Sequence, residues 1–93
     1  MEIAFVNRGR LDIIHDILHL CRKPARKTSI LYKCNLSYEL LLKYLGYLIS
    51  CELIYTYEEN PRELYHVTGR GREFLEGYES LINLVNRTSH NSH

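Results

Sequence analysis

Apolar residues recur at three- and four-residue steps at Leu11, Ile14, Ile17, Leu18 and Cys21, the period of an amphipathic helix over residues 9 or 10 to 21. Pro24 ends that pattern, since its ring removes a backbone donor and crowds the preceding turn. Beyond "KPARK" the helical spacing resumes in "SILYKC", with Thr28 as the expected N-cap and Ile30, Leu31 and Cys34 directed inward. Asn35 and Leu36 form a turn. Ser37 then caps a longer helix in which Tyr38, Leu41, Leu45, Leu48 and Ile49 make a stripe that predicts core.

After "CEL" the period falls from helical to two. The runs "LIYTY" and "LYHV" are short, rich in aromatic and β-branched residues, and separated by the polar "EENPRE". They predict a β-hairpin with Asn60 and Pro61 at its tip. Thr68 is the expected cap of a last helix with Phe74, Leu75, Tyr78, Leu81, Ile82 and Val85 on its apolar face. Steps of 4, 3 and 4 through Phe74, Tyr78, Leu81 and Val85 amount to two heptads, and Leu75 and Ile82 widen the face beyond what one helix needs to seal a small domain. A homodimer interface at Phe74, Tyr78, Leu81, Ile82 and Val85 follows as an expectation. Two heptads are short for a stable coiled coil, so the first helix or the N-terminal "IAFV" is expected to contribute.

The chain has 93 residues, 45% of them apolar and 25% charged, which suits one ordinary globular core and cannot feed two. The expected division is a single domain over residues 1–86 and a disordered polar tail, "NRTSHNSH" at its margin, over 87–93. No apolar run approaches the ~18 residues of a membrane span, which predicts a soluble protein of the cytoplasm, nucleoid or host cell. Three cysteines, Cys21, Cys34 and Cys51, lie within apolar helical patterns, so buried, reduced thiols are expected rather than a disulfide framework.

The net charge of +1 conceals an asymmetry. Residues 1–51 hold eight Lys and Arg against four acids, and residues 52–93 hold four against seven. Much of the excess falls in Arg22, Lys23, Arg26, Lys27, Lys33 and Lys43, a segment whose single acid is Glu39. A basic block beside an acidic remainder is the electrostatic footprint of a polyanion binder.

The predicted order of helix, short helix, turn, longer helix, hairpin and helix is that of an α+β winged helix-turn-helix domain, with a three-helix core, a hairpin wing and a C-terminal helix. The stretch "NLSYELLLKYLGYLISCELI" resembles that family's capped recognition helix and its apolar closure before the wing. "YHVTGRGREFLEGYE" resembles the family's exit from the wing into a long helix. The likeness is to small archaeal and archaeal-virus winged-helix proteins, among them a dimeric chromatin-associated type. It implies binding of double-stranded DNA by a transcriptional regulator or architectural factor, with two recognition helices about one DNA turn, roughly 34 Å, apart in a dimer. The other function such a fold carries is protein–protein interaction without DNA. Salt dependence separates the two.

Opposite the core stripe, the longer helix presents Glu39, Lys43, Tyr47 and Ser50. Lys43 and Tyr47 are candidates for phosphates or base edges, and Ser37 and Tyr38 stand at the helix start, where free backbone donors favour a phosphate. Lys27 and Lys33 are candidate phosphate contacts from the basic segment, and Arg62 from the wing. The recognition helix holds one Lys and no Arg, and the wing sets Glu58, Glu59 and Glu63 around Arg62, so base readout is expected to be sparse.

No glycine-rich phosphate loop, nucleophile elbow or paired-carboxylate motif occurs, and no enzyme or cofactor is expected. His15 and His19 stand four apart and share a helix face, but Cys21 follows the core stripe and no further ligand is near in sequence. Two histidines at a solvated helix edge, with no metal, is the resulting expectation.

Overall fold

In a computed structural model of the protein, the backbone is described over residues 9–91 and the side chains over residues 9–86. The expected contribution of "IAFV" to an interface lies outside these residues. The elements run α1 (Arg10–Leu20), β1 (Ala25–Arg26), α2 (Lys27–Lys33), α3 (Tyr38–Ser50), β2 (Ile54–Glu59), β3 (Arg62–Val67) and α4 (Gly69–Asn91). The three strands form one antiparallel sheet in the order β1-β3-β2. Helices, hairpin and their order agree with the pattern in the sequence.

Two residues of sheet, β1, were not foreseen. Ala25 pairs with Tyr65 and Arg26 with Leu64, so the chain after Pro24 is held extended as far as Arg26. This moves the start of α2: the helix opens at Lys27 with Arg26 as N-cap, and Thr28 lies inside it instead of capping it. A two-residue strand has no periodicity to read, and its existence depends on the edge of β3 being available.

The core gathers Ile17, Leu18, Ile30, Leu41, Leu48, Ile54 and Val67, all essentially without solvent contact, with Leu75 of α4 closing one end. Burial of each Leu or Ile contributes about 1.5–3 kcal/mol relative to exposure. Tyr38 and Ile49, expected in the core stripe of α3, are instead 56% and 39% exposed. They lie on the flank of the helix, off the line of Leu41, Leu45 and Leu48, and no neighbouring element covers them fully.

The ends of the helices are fixed by local chemistry. Ser37 Oγ accepts the Leu40 amide at 3.1 Å and caps α3. At the far end of α2, Leu36 N donates to Leu31 O and Asn35 N to Tyr32 O, with Asn35 at φ 55°. The end of α3 repeats this closure, Leu53 N to Leu48 O and Glu52 N to Ile49 O, with Glu52 at φ 62°. Both are left-handed C-terminal caps that bring an apolar residue back onto the last turn. Thr68 Oγ1 donates to Glu52 O at 2.7 Å and accepts from Gly71 N at 2.9 Å, tying the end of α3 to the start of α4. Gly71 is required there: a Cβ at that position would stand 2.2 Å from the Leu53 carbonyl oxygen.

The last helix is longer than its pattern suggested. α4 continues to Asn91, through most of the segment expected to form a disordered tail from residue 87. Helical backbone bonds propagate once a long helix is nucleated, so the helix can run on into a polar stretch whose own pattern does not predict it.

Candidate nucleic-acid interface

The short turn 34–37 sets α3 against α2 and leaves one side of α3 facing outward. Glu39, Lys43, Gly46, Tyr47 and Ser50 are exposed there, opposite the buried Leu41, Leu45 and Leu48. The hydroxyls at the two ends of the helix are engaged: Ser37 as the cap, and Ser50 by donating to the Tyr47 carbonyl at 2.7 Å. Tyr38 is exposed at the first turn. The Tyr47 phenol is held above its ordinary pKa chiefly by a hydrogen bond with Cys51, while Arg10 opposes the shift.

That influence of Arg10 reflects a juxtaposition invisible in the sequence. Arg10, Leu11 and Ile14 of α1 and Leu40, Lys43, Tyr44 and Tyr47 of α3 line a groove of about 550 Å³. Lys43, the lone cation of α3, thereby shares the groove with the guanidinium of Arg10, a residue 33 positions earlier.

The basic segment is distributed over β1 and α2. Lys27 is half-buried, and it sits beside the Tyr65 phenol, whose pKa is raised by burial and pulled the other way by Lys27. It is therefore less free to meet a phosphate than its position in the sequence implied. Lys33 is exposed in the last turn of α2, where its charge also offsets the helix dipole, and Tyr32 beside it is 78% exposed.

On the wing, Arg62 faces Glu59 across the hairpin and Glu58 faces Glu63. Tyr55 and Tyr57 stack with ring centres 5.9 Å apart on one face. His66 Nε2 donates to the Arg22 carbonyl at 3.1 Å, so Nδ1 accepts from the Tyr55 hydroxyl at 2.9 Å. This chain ties the wing to the start of the basic segment. Tyr32, Tyr55, Tyr57 and Arg10 are the surface residues that pattern reasoning missed. For the tyrosines the available signal was their position off the core stripes.

Two expectations concern α4. Of its predicted interface residues, Phe74 and Tyr78 are half-buried against their own domain: Phe74 packs on the core, and the Tyr78 ring stacks 4.4 Å from His15 while its hydroxyl donates to Asp12. That bond, with burial, pushes the Tyr78 phenol up to about 12. Leu81, Ile82 and Val85 are exposed, joined by Leu84. The packing of α4 on α1 also brings Glu79 to His15 and His19, Nε2 of His15 lying 3.4 Å and Nδ1 of His19 4.0 Å from Glu79 Oε2.

With fold and surface described, the match to known proteins is direct: the family model for the winged helix-turn-helix covers residues 7–86. The chain belongs to the winged helix-turn-helix family. A protein of Methanocaldococcus jannaschii is 32% identical over 81 residues, 86% of this chain and 36% of its own length. The chain thus spans about a third of that relative. Among solved structures, Sso10a-2, a DNA-binding protein from Sulfolobus solfataricus, superposes with a TM-score of 0.77 at 26% identity, covering 91% of this chain and 90% of its own. MepR, a transcription regulator of a Staphylococcus aureus multidrug efflux pump, shares the fold with a TM-score of 0.79 at 16% identity, over 99% of this chain and 70% of that one. No helix among the described residues is long and apolar enough to cross a membrane.

Proposed function

We propose that the protein binds double-stranded DNA through the outward side of α3 and acts as a transcriptional regulator or architectural factor. The observation that carries this reading is the exposed face of α3, where Lys43 and Tyr47 are joined by Arg10 beside a capped and accessible helix start. Such a face supplies charge for phosphates and a phenol for polar or stacking contacts, with little equipment for reading guanine. Affinity then rests mainly on the backbone, and sequence preference on DNA shape. The description of Sso10a-2 as DNA-binding supports the same reading.

The protein acts as a homodimer through the distal half of α4. Support comes from Leu81, Ile82 and Val85, apolar side chains that remain exposed on that half of the helix. Dimerisation doubles the cationic surface and compensates for sparse contacts from each copy.

The test is duplex binding measured against salt. Each phosphate contact contributes about 0.9 to the slope of log affinity on log salt, so Arg10→Ala, Lys33→Ala and Lys43→Ala together are expected to flatten it by about two to three units. A folded triple variant with an unaltered slope overturns the reading. Exposed Leu40, Leu42 and Ile49 on the same helix favour a protein partner as the second reading. Weak duplex binding with no salt dependence is its signature.

A further inference from the structure

We propose that His15, His19 and Glu79 form a binding site for a divalent transition cation of the zinc or cobalt class, which clamps α4 to α1. One ligand atom from each of the three residues lies within 4.8 Å of the others. Tetrahedral coordination with bonds of about 2.0–2.1 Å to imidazole nitrogen and carboxylate oxygen sets ligand atoms about 3.4 Å apart. The His15 Nε2 to Glu79 Oε2 separation is already 3.4 Å, and His19 Nδ1 to Glu79 Oε2 is 4.0 Å. Closing the remaining distance takes rotation of exposed side chains only, since His19 and Glu79 are both about half accessible. That exposure also gives an ion a way in and leaves a fourth position for water.

The surroundings of His15 add a second geometric observation. Its Nε2 lies 3.4 Å from Glu79 Oε2 and its Nδ1 3.4 Å from Asp16 Oδ1, so one ring nitrogen faces the proposed ion position while the other is held by a carboxylate outside it. With an ion on Nε2, the Asp16 contact does what an outer carboxylate does for a metal-bound histidine, holding the tautomer and the ring plane. Tyr78 adds to this by stacking on His15 and donating to Asp12. The two imidazoles come from α1 and the carboxylate from α4, a joint just before the exposed Leu81 and Val85. An ion there stiffens the base from which the distal half of α4 projects.

The experiment titrates Co²⁺, then Zn²⁺, into the full chain carrying His90→Gln and His93→Gln, so that imidazoles of the terminal segment do not compete. The expected result is one Co²⁺ per chain with the visible absorption of a four-coordinate nitrogen and oxygen site, no thiolate charge-transfer band, and a rise in unfolding temperature with Zn²⁺ concentration. His19→Gln and Glu79→Gln, both at accessible positions that circular dichroism will check for folding, are each expected to weaken binding by about tenfold or more. Absence of stoichiometric binding overturns the proposal. So does a thiolate band, or affinity unchanged in those variants.

Discussion

At the scale of single residues, the three cysteines separate into two kinds. Cys21 and Cys34 are buried, as the apolar pattern predicted, whereas Cys51 at the end of α3 is half-buried and reachable. Burial pushes the Cys21 thiol up to about 12, with Cys34 adding to the effect. At pH 8 its thiolate fraction is then about 10⁻⁴, so a polar thiol reagent is expected to label Cys51 first and Cys21 only on unfolding. Mass spectrometry of partly labelled protein checks the order. The same shift carries a stability consequence. The folded pKa lies above the ordinary thiol value of 9.0, so the contribution is complete below pH 9 and is lost as pH rises toward 12. Tyr78, raised from 10.0 to about 12, acts in the same direction. The urea midpoint is expected to fall progressively above pH 9, and less steeply in Tyr78→Phe. Glu58 and Glu63, directly opposed in the hairpin, repel one another. Glu58→Lys is expected to raise stability by about 0.5 kcal/mol and to strengthen duplex binding at low salt. A lower urea midpoint would contradict the first part.

At the scale of elements, the closures decide where helices stop. Glu52 holds a left-handed conformation that disfavours a side chain by roughly 1–2 kcal/mol, partly offset by the entropy a glycine loses on folding. Glu52→Gly is therefore expected to stabilise the protein by about 0.5–1 kcal/mol in urea unfolding. Gly71→Ala is expected to do the opposite. Its methyl group would meet the Leu53 carbonyl, which shares the hydrogen-bonded junction with Thr68, and the displacement should cost about 1–3 kcal/mol. If both variants unfold at the wild-type midpoint, these closures do not bear on stability. The hairpin and the four helices were legible because each repeats its period over several residues. β1 was not, because two residues carry no period and the strand exists only through its pairing with Tyr65 and Leu64.

At the scale of the whole molecule, α4 is the longest element, 23 residues or about 34 Å of helix. The radius of gyration is 14.8 Å, against about 12 Å for a compact chain of this length, and the extents are 53 × 28 × 19 Å. A helix that leaves its own domain with Leu81, Ile82, Leu84 and Val85 exposed is expected to pair with a second copy. Sedimentation at micromolar concentration should find a dimer that Leu81→Asp with Val85→Asp dissociates; a monomer, or a dimer indifferent to the double change, rules out this interface. The amino-acid sequence by itself determined the winged-helix order, the buried centres of the stripes (Ile14, Ile17, Leu18 and Cys21; Leu41, Leu45 and Leu48) though not their margins at Leu11, Tyr38 and Ile49, and the basic first half against an acidic second, because periodicity and charge are properties of neighbouring positions. Only the tertiary structure decided that Phe74 packs on the core and Tyr78 on α1 while Leu81 and Val85 stay exposed, that Arg10 joins Lys43 and Tyr47, and that Glu79 reaches His15 and His19. Those are meetings of residues 33 to 66 positions apart, which depend on how α1 seats against α3 and α4, and no local spacing encodes that packing.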